Sequence, residues 1–289
     1  MNWKVRCFMV KVLKPGFYST IQDAGRYGFQ DYGVPYAGVM DLYAASVANM
    51  LVGNEESAAV LEITMTGPTL QFDSETIICV AGADISPMLN DVPIENNKPI
   101  HVANNDILSF GKLIKGFRAY LSVSGGFQTE RIMKSRSMFK GITEHQSISK
   151  GDELPLEKDR KSLLKKNASI KLNNKYLQSE NIEVFKGPEF EKLSKVQQDI
   201  LLNQRFNISK DNNRMAYQLA QRLDNNLEAI ITSLVLPGTV QLTPSGNLII
   251  LMRDCQTTGG YPRVLQLKES AMNIMAQKFT GNPISFKLI

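Results

Sequence analysis

The sequence predicts a mainly β protein, arranged as two β-barrel halves with a few short helices. Three observations carry this: apolar or alternating runs are short, turn residues break them at close intervals, and helical periodicity is brief. The runs fall at residues 9–13, 60–65, 77–81, 107–110, 118–123, 230–236, 248–252 and 264–267. Gly67-Pro68, Asn96-Asn97 and Pro237-Gly238 stand among the turn residues between them. Many short strands without long intervening helices point to barrels or sandwiches and away from alternating βαβ units.

The expected helices follow from caps and spacing. Asp41 is placed to cap a helix running to Leu51, with Gly53 as its stop. Pro188 suits the first turn of a helix over 188–204, with Phe190, Leu193, Val196, Ile200 and Leu201 on one face. Ser270 opens a third at 270–279, with Met272, Met275, Ala276 and Phe279 turned inward as a core stripe. An internal echo links the halves. Ala59-Val60-Leu61-Glu62 leads to Gly67-Pro68-Thr69-Leu70-Gln71-Phe72, and Ala229-Ile230-Ile231-Thr232 leads to Pro237-Gly238-Thr239-Val240-Gln241-Leu242. Each follows a helical-looking stretch, 40–51 and 215–223. The expected division is a β-rich half at 1–155, a basic linker at 156–178 and a second β-rich half at 179–289.

The net charge of +5 has one origin. Residues 156–175 hold Lys158, Arg160, Lys161, Lys165, Lys166, Lys171 and Lys175 against Glu157 and Asp159, so the rest of the chain is neutral. A nucleic-acid face interleaves its cations with aromatics, and this stretch has only Tyr176 at its end, which fits a solvated linker. Hydrophobic residues at 43% suffice for a core, yet no apolar run approaches the roughly 18 residues of a membrane span. The start lacks a sustained apolar region and a cleavage site, so export is not expected. Cys7, Cys79 and Cys255 are odd in number and widely spaced, without a CxxC pair, which fits a reducing cytoplasm.

Several catalytic devices are missing: no GxxxxGK[ST] loop, no GxGxxG after a strand, no GxSxG elbow. His101 and His145 have no metal-ligand spacing, so no metal is expected. Two polar, glycine-rich segments remain. One is Thr20-Ile21-Gln22-Asp23-Ala24-Gly25-Arg26-Tyr27-Gly28, running on to Gly38-Val39-Met40-Asp41; the other is Arg253-Asp254-Cys255-Gln256-Thr257-Thr258-Gly259-Gly260-Tyr261-Pro262. Each sets amide, hydroxyl or charged groups beside glycines that let backbone approach a ligand. The plain alternative is a pair of tight turns whose polar side chains bond their own backbone. Arg26 and Arg214 suit a bidentate clamp on a carboxylate or phosphate, or a structural ion pair with Asp23, Asp41 or Asp211. Arg118 and Arg136 have weaker claims to such a clamp, and a surface position would explain either.

These segments also resemble a known family. Leu13-Lys14-Pro15-Gly16, Gln22-Asp23-Ala24-Gly25-Arg26-Tyr27-Gly28 and Gly38-Val39-Met40-Asp41 are similar to the opening of bacterial 5-oxoprolinase C subunits. Kip-inhibitor antagonists and the matching half of urea-carboxylase carboxyltransferase, often labelled allophanate hydrolase subunit 2, share it. Gly82-Ala83-Asp84, Ser135-Arg136-Ser137, Pro237-Gly238-Thr239-Val240-Gln241 and Gln256-Thr257-Thr258-Gly259-Gly260-Tyr261-Pro262 extend the resemblance in order along the chain. It implies a cyclophilin-like β-barrel fold and a C subunit that works with a Kip-inhibitor-like B subunit and a LamB/YcsF-like A subunit. It implies ATP-dependent opening of a small lactam, 5-oxoproline to glutamate, with ATP bound by or with a partner. The carboxyltransferase branch would instead act on urea or another amide with carboxybiotin on a separate carrier. A third branch is a non-catalytic antagonist of a Kip-inhibitor-like regulator. By resemblance, Asp23, Arg26 and Gln256 are the expected catalytic residues. Gln22, Asp41, Arg214, Tyr217, Thr257, Thr258, Gly259, Gly260 and Tyr261 are the expected substrate-binding residues, with the two segments converging on one cavity. The second half departs from the family pattern at Asn213, Ala216, Ser233-Leu234, Ser245, Glu189 and Cys255, and the first at Lys134 and Met138, which brings the antagonist branch into consideration.

Overall fold

A computed structural model describes residues 8–157 and 172–289. Cys7 and most of the basic linker, Lys158 to Lys171, lie outside the described residues. The chain forms two compact units, Met1–Gly25 with Leu42–Asn174, and Arg26–Asp41 with Lys175–Ile289. The class is mainly β, with three short α-helices among the described residues.

In the first unit the strands lie in two antiparallel sheets. One runs in the order Glu153–Leu156, Phe8–Lys14, Thr69–Phe72, Ile107–Phe110, Pro87–Leu89, Val92–Pro93; the other in the order Tyr18–Gln22, Val60–Thr64, Lys115–Val123, Thr76–Asp84, Ile100–Val102. Val10, Val12, Leu70 and Phe72 from the first sheet and Ile21, Leu61, Ile63 and Val80 from the second share one apolar core. Burying such side chains stabilises by about 1.5–3 kcal/mol each.

Helix α1, Leu42–Leu51, packs on strands Thr76–Asp84 and Lys115–Val123 through Ala44, Ala45 and Ala48. Small residues permit a close approach, and Gly82 (φ +85°) completes it: a Cβ there would lie 2.7 Å from the Arg118 carbonyl oxygen and 3.2 Å from Ala44 Cβ. The helix ends where Gly53 turns left-handed at φ +82°. Asn49 then donates to the carbonyls of Glu56 and Ala58, while Asn54 bonds Asn49, Ser122 and the Val123 carbonyl.

The second unit is a closed seven-stranded barrel: Asn181–Lys186, Arg263–Leu267, Thr239–Leu242, Asn247–Leu251, Ala216–Arg222, Phe206–Asn212, Pro283–Leu288. One parallel pairing, Ile182 opposite Phe286, closes the ring of otherwise antiparallel strands. Helix α2, Lys195–Asn203, and helix α3, Glu269–Ala276, contribute Leu201, Met272, Met275 and Ala276 to its core.

Four local expectations are corrected. Helix α2 begins at Lys195, not Pro188, because Ser194 and Gln197 form a reciprocal capping box and Leu193 is extended. Helix α3 starts at Glu269 with Lys268 as its cap residue, and Phe279, beyond its end, is exposed. Residues 215–223 are not helical: Tyr217 and Leu219 alternate inward along strand Ala216–Arg222. The run 230–236 keeps only the two-residue strand Ser233–Leu234, with Ile231 92% exposed, so the echo is carried by the Thr-x-Gln strands Thr69–Phe72 and Thr239–Leu242.

Arg26–Asp41 groups with the second unit, whereas the sequence division kept it in the first half. Three contacts hold it there. Met40 is buried in the barrel core, Ala37 N–H donates to the Arg253 carbonyl (3.0 Å), and Arg214 Nη2 donates to the Gly38 carbonyl (2.7 Å).

Candidate functional site

The first polar segment is divided between the units: its Thr20–Gly25 part belongs to the first, while Arg26–Asp41 belongs to the second together with the 253–261 turn. At the end of strand Tyr18–Gln22, Gln22 is fully buried and its amide donates to Thr20 Oγ1 and the Met138 carbonyl, both at 3.1 Å. Asp23 is ringed by donors: Ser135 Oγ (2.6 Å), Ser137 Oγ (2.7 Å), the Arg136 N–H (2.6 Å) and the Gly25 N–H (2.9 Å). Its own N–H donates back to Ser137 Oγ (3.0 Å). A carboxylate accepting four hydrogen bonds serves as an anchor: it ties Ser135-Arg136-Ser137 to the strand end. The Arg136 guanidinium is drawn onto Gln128 Oε1 and the Thr129 carbonyl. Arg118, for which a surface position would have sufficed, is buried and ion-paired with Glu62 (3.7 Å).

In the second unit, four expected site residues lie in the framework. Arg26 is fully buried, its N–H bonded to the Tyr36 carbonyl (2.7 Å) and its own carbonyl accepting from Gln30 Nε2 (2.7 Å). Arg214 does make a bidentate pair, but with Asp254 (both 2.8 Å), in place of the expected Asp23, Asp41 or Asp211. With Gly38 as its further acceptor, that guanidinium is spent on holding the Arg26–Asp41 segment and the 253–261 turn to the barrel. Tyr217 is fully buried among core residues, and its hydroxyl donates to the Lys278 carbonyl (3.1 Å). Asp41 is also fully buried; its Oδ2 accepts from the Tyr176 hydroxyl (2.6 Å) and Gln277 Nε2 (2.7 Å). Tyr176 and Gln277 carried no signal in the sequence beyond their polarity.

The 253–261 turn is where the structure gathers open polar groups. It wraps Val235. The Val235 N–H donates to the Thr257 carbonyl (3.1 Å), Val235 packs with Cys255 and Leu251, and Ser233–Leu234 pairs with Thr258–Gly259. The Gly260 carbonyl accepts from the Ile230 N–H (2.9 Å), and Tyr261 is 41% exposed. Gln256 Oε1 is buried without a hydrogen-bond partner among the described residues. So is Nε2 of Gln241, a residue the sequence flagged as part of the internal echo and of a family motif but not as a site residue. Gln241 is 2% exposed, and a Cβ on Gly259 would sit 2.5 Å from its Nε2. Polar atoms buried without partners are rare in folded proteins, because each forfeits its hydration.

Ile230 and Ser233 also wall a surface cleft of ≈ 530 Å³ with Glu189, Lys192, Leu227 and Ile231. Glu189 stands there against Arg263, which donates to it from Nε, Nη2 and the backbone N–H at 2.8–3.0 Å. The Arg263 side-chain hydrogen bonds hold the Glu189 carboxyl below its ordinary 4.5, and the pairing raises Arg263 in turn. Burial pushes the Cys255 thiol up to about 12, with Asp254 adding to the rise, which disfavours the thiolate at neutral pH.

The comparisons agree with this architecture. The family model for the carboxyltransferase domain, subdomain A and B, matches residues 32–288. The 5-oxoprolinase C subunit of Escherichia coli is 32% identical over 96% of this chain and 90% of that protein. The urea amidolyase of Lachancea kluyveri is 46% identical over 45% of this chain, which is 7% of that protein. The crystal structure of TTHA0988 superposes with a TM-score of 0.87 at 23% identity over 99% of this chain, and the chain spans 57% of its length. A match over most of the chain fixes the family, so the chain is a member of the carboxyltransferase domain family, subdomain A and B.

Proposed function

We propose that this chain is the C subunit of an ATP-dependent 5-oxoprolinase complex that opens 5-oxoproline to glutamate. The observation that carries it is the near full-length similarity to the E. coli 5-oxoprolinase protein, whose name makes it one subunit of an enzyme. The 253–261 turn supplies the ligand-facing groups: Gln256, Thr257, Thr258, Gly259, Gly260 and Tyr261, backed by Gln241. Asp23, Arg214 and Tyr217 take positioning roles, since each is committed to partners inside its own unit. The required partners are a Kip-inhibitor-like B subunit and a LamB/YcsF-like A subunit, with ATP consumed in the complex. Mixing the full chain with such subunits and measuring glutamate from 5-oxoproline and ATP tests this. Turnover that depends on all three chains is expected; equal turnover without this chain sinks the assignment.

A second reading rests on the higher identity to urea amidolyase over under half of the chain. It makes the chain a carboxyltransferase component for urea or another amide, served by carboxybiotin on a separate carrier. Carboxylation of urea with a biotinylated carrier, in the absence of lactam hydrolysis, would favour it.

A further inference from the structure

We infer that Gln241 and Gln256 together read the edge of a neutral amide, one taking its carbonyl oxygen and the other its N–H. This deepens the proposed function by naming the chemical group the 253–261 turn recognises, and it rests on that reading for its biological meaning. The observation is a complementary pair of unmet groups. Gln241 presents a buried donor, Nε2, and Gln256 a buried acceptor, Oε1, and neither has a partner among the described residues. Both belong to one local structure in the second unit. Gln241 sits in strand Thr239–Leu242, and its amide presses on the side-chain-free face of Gly259. Gln256 sits three residues earlier, between Cys255 and Thr257, both of which are fastened to Val235, and Val235 Cγ1 borders Gly259 as well.

Folding leaves a buried donor and a buried acceptor unpaired only at a cost, which a ligand can recover. The ligand that recovers both carries one acceptor oxygen beside one N–H, as carboxamides, ureas and lactams do. A carboxylate offers acceptors only, and would set its oxygens against Gln256 Oε1. Gly259 is part of the arrangement: a Cβ there would lie 2.5 Å from Gln241 Nε2 and force that amide to move. Selectivity of this type comes from the unpaired polar groups left behind when the wrong ligand binds, and it exceeds what shape alone gives.

The test uses the full-length chain with 2-pyrrolidinone and urea as probes, and cyclopentanone and acetate as controls. The side-chain amide signals of Gln241 and Gln256 are followed by ¹⁵N–¹H spectroscopy, assigned with Gln241→Met and Gln256→Met. Saturable shifts of both signals by 2-pyrrolidinone or urea, and by neither control, are expected. Gln241→Met should weaken the binding about tenfold, the worth of one good hydrogen bond. Its melting midpoint should equal or exceed wild type, since an unpaired buried donor has been removed. Should that variant fail to fold, the near-isosteric Gln241→Glu, which turns the donor into an acceptor, must abolish lactam binding. Three results overturn the inference: no probe moves either signal, cyclopentanone or acetate binds equally well, or Gln241→Met binds as wild type while melting lower. Turnover in the reconstituted complex separates the two levels. Probe binding without turnover refutes the proposed function alone, and turnover untouched by Gln241→Met refutes the amide-reading pair alone.

Discussion

Replacing Asp23 by Asn decides whether that carboxylate does chemistry or holds structure. Its Oδ1 accepts from Ser135 Oγ, Ser137 Oγ and the Gly25 N–H, and its Oδ2 from the Arg136 N–H. An Asn amide turned with its nitrogen toward Arg136 faces N–H against N–H, and the other three bonds lose their charge assistance. Turning it over faces the amide nitrogen toward the Gly25 N–H instead. One unsatisfied group costs about 1–3 kcal/mol, and charged acceptors contribute more than neutral ones. Because Asp23 is only partly buried, a loss of about 2–3 kcal/mol is expected. Ser137→Ala, which removes one donor, should cost about 1 kcal/mol. Urea denaturation of the full chain, read by changes in midpoint, measures both. Turnover in the complex should fall in step with the folded fraction. An Asp23→Asn chain with a wild-type midpoint and no turnover would place Asp23 in the chemistry and refute its role as an anchor.

Asp254→Ala strips the buried Arg214 of its bidentate partner and should destabilise by about 3–5 kcal/mol. Arg214→Met alongside Asp254→Ala should recover part of that in a double-mutant cycle, and simple additivity would argue against the pair. The Glu189 carboxyl is held below its ordinary 4.5 in the folded chain, chiefly by the Arg263 side-chain hydrogen bonds. Its pairing therefore stabilises the fold above about pH 4.5 and fades as pH falls through the lower folded value. Glu189→Gln should lower stability at neutral pH and flatten the acid limb of a pH–stability profile. Cys79 and Cys255 are both pushed up to about 12, chiefly by burial, so in a Cys7→Ser background native thiol titration at pH 8 should be slow and become complete on denaturation.

What the sequence displays and what it hides divides along a physical line. Strands such as Thr76–Asp84 and Lys115–Val123 were legible because their side chains face apolar core, and that requirement leaves a pattern in residue type. The helix at Leu42–Leu51 was legible from its end signals, Asp41 before it and a closing glycine that turns left-handed. Residues 215–223 were misread because Met215, Ala216, Leu219, Ala220 and Leu223 offer apolar atoms at both helical and strand spacing. Only barrel closure, which pairs Ala216 with Leu251 and Tyr217 with Ile250, selects the strand. The site obeys a different rule. Gln22 and Gln256 look equivalent as letters beside glycine, yet Gln22 donates to Thr20 and Met138 while the Gln256 acceptor stays open. Arg214 looked like a clamp for a ligand, and Asp254, forty residues on, takes both of its arms. Sequence shows which residues are able to bind something; long-range pairing decides which of them are already bound. Gln241 shows this from the other side, a polar side chain on a strand where Thr239, Val240 and Leu242 are all buried as well. Such a residue needs a partner, and where the fold supplies none, the partner is to be sought outside the chain.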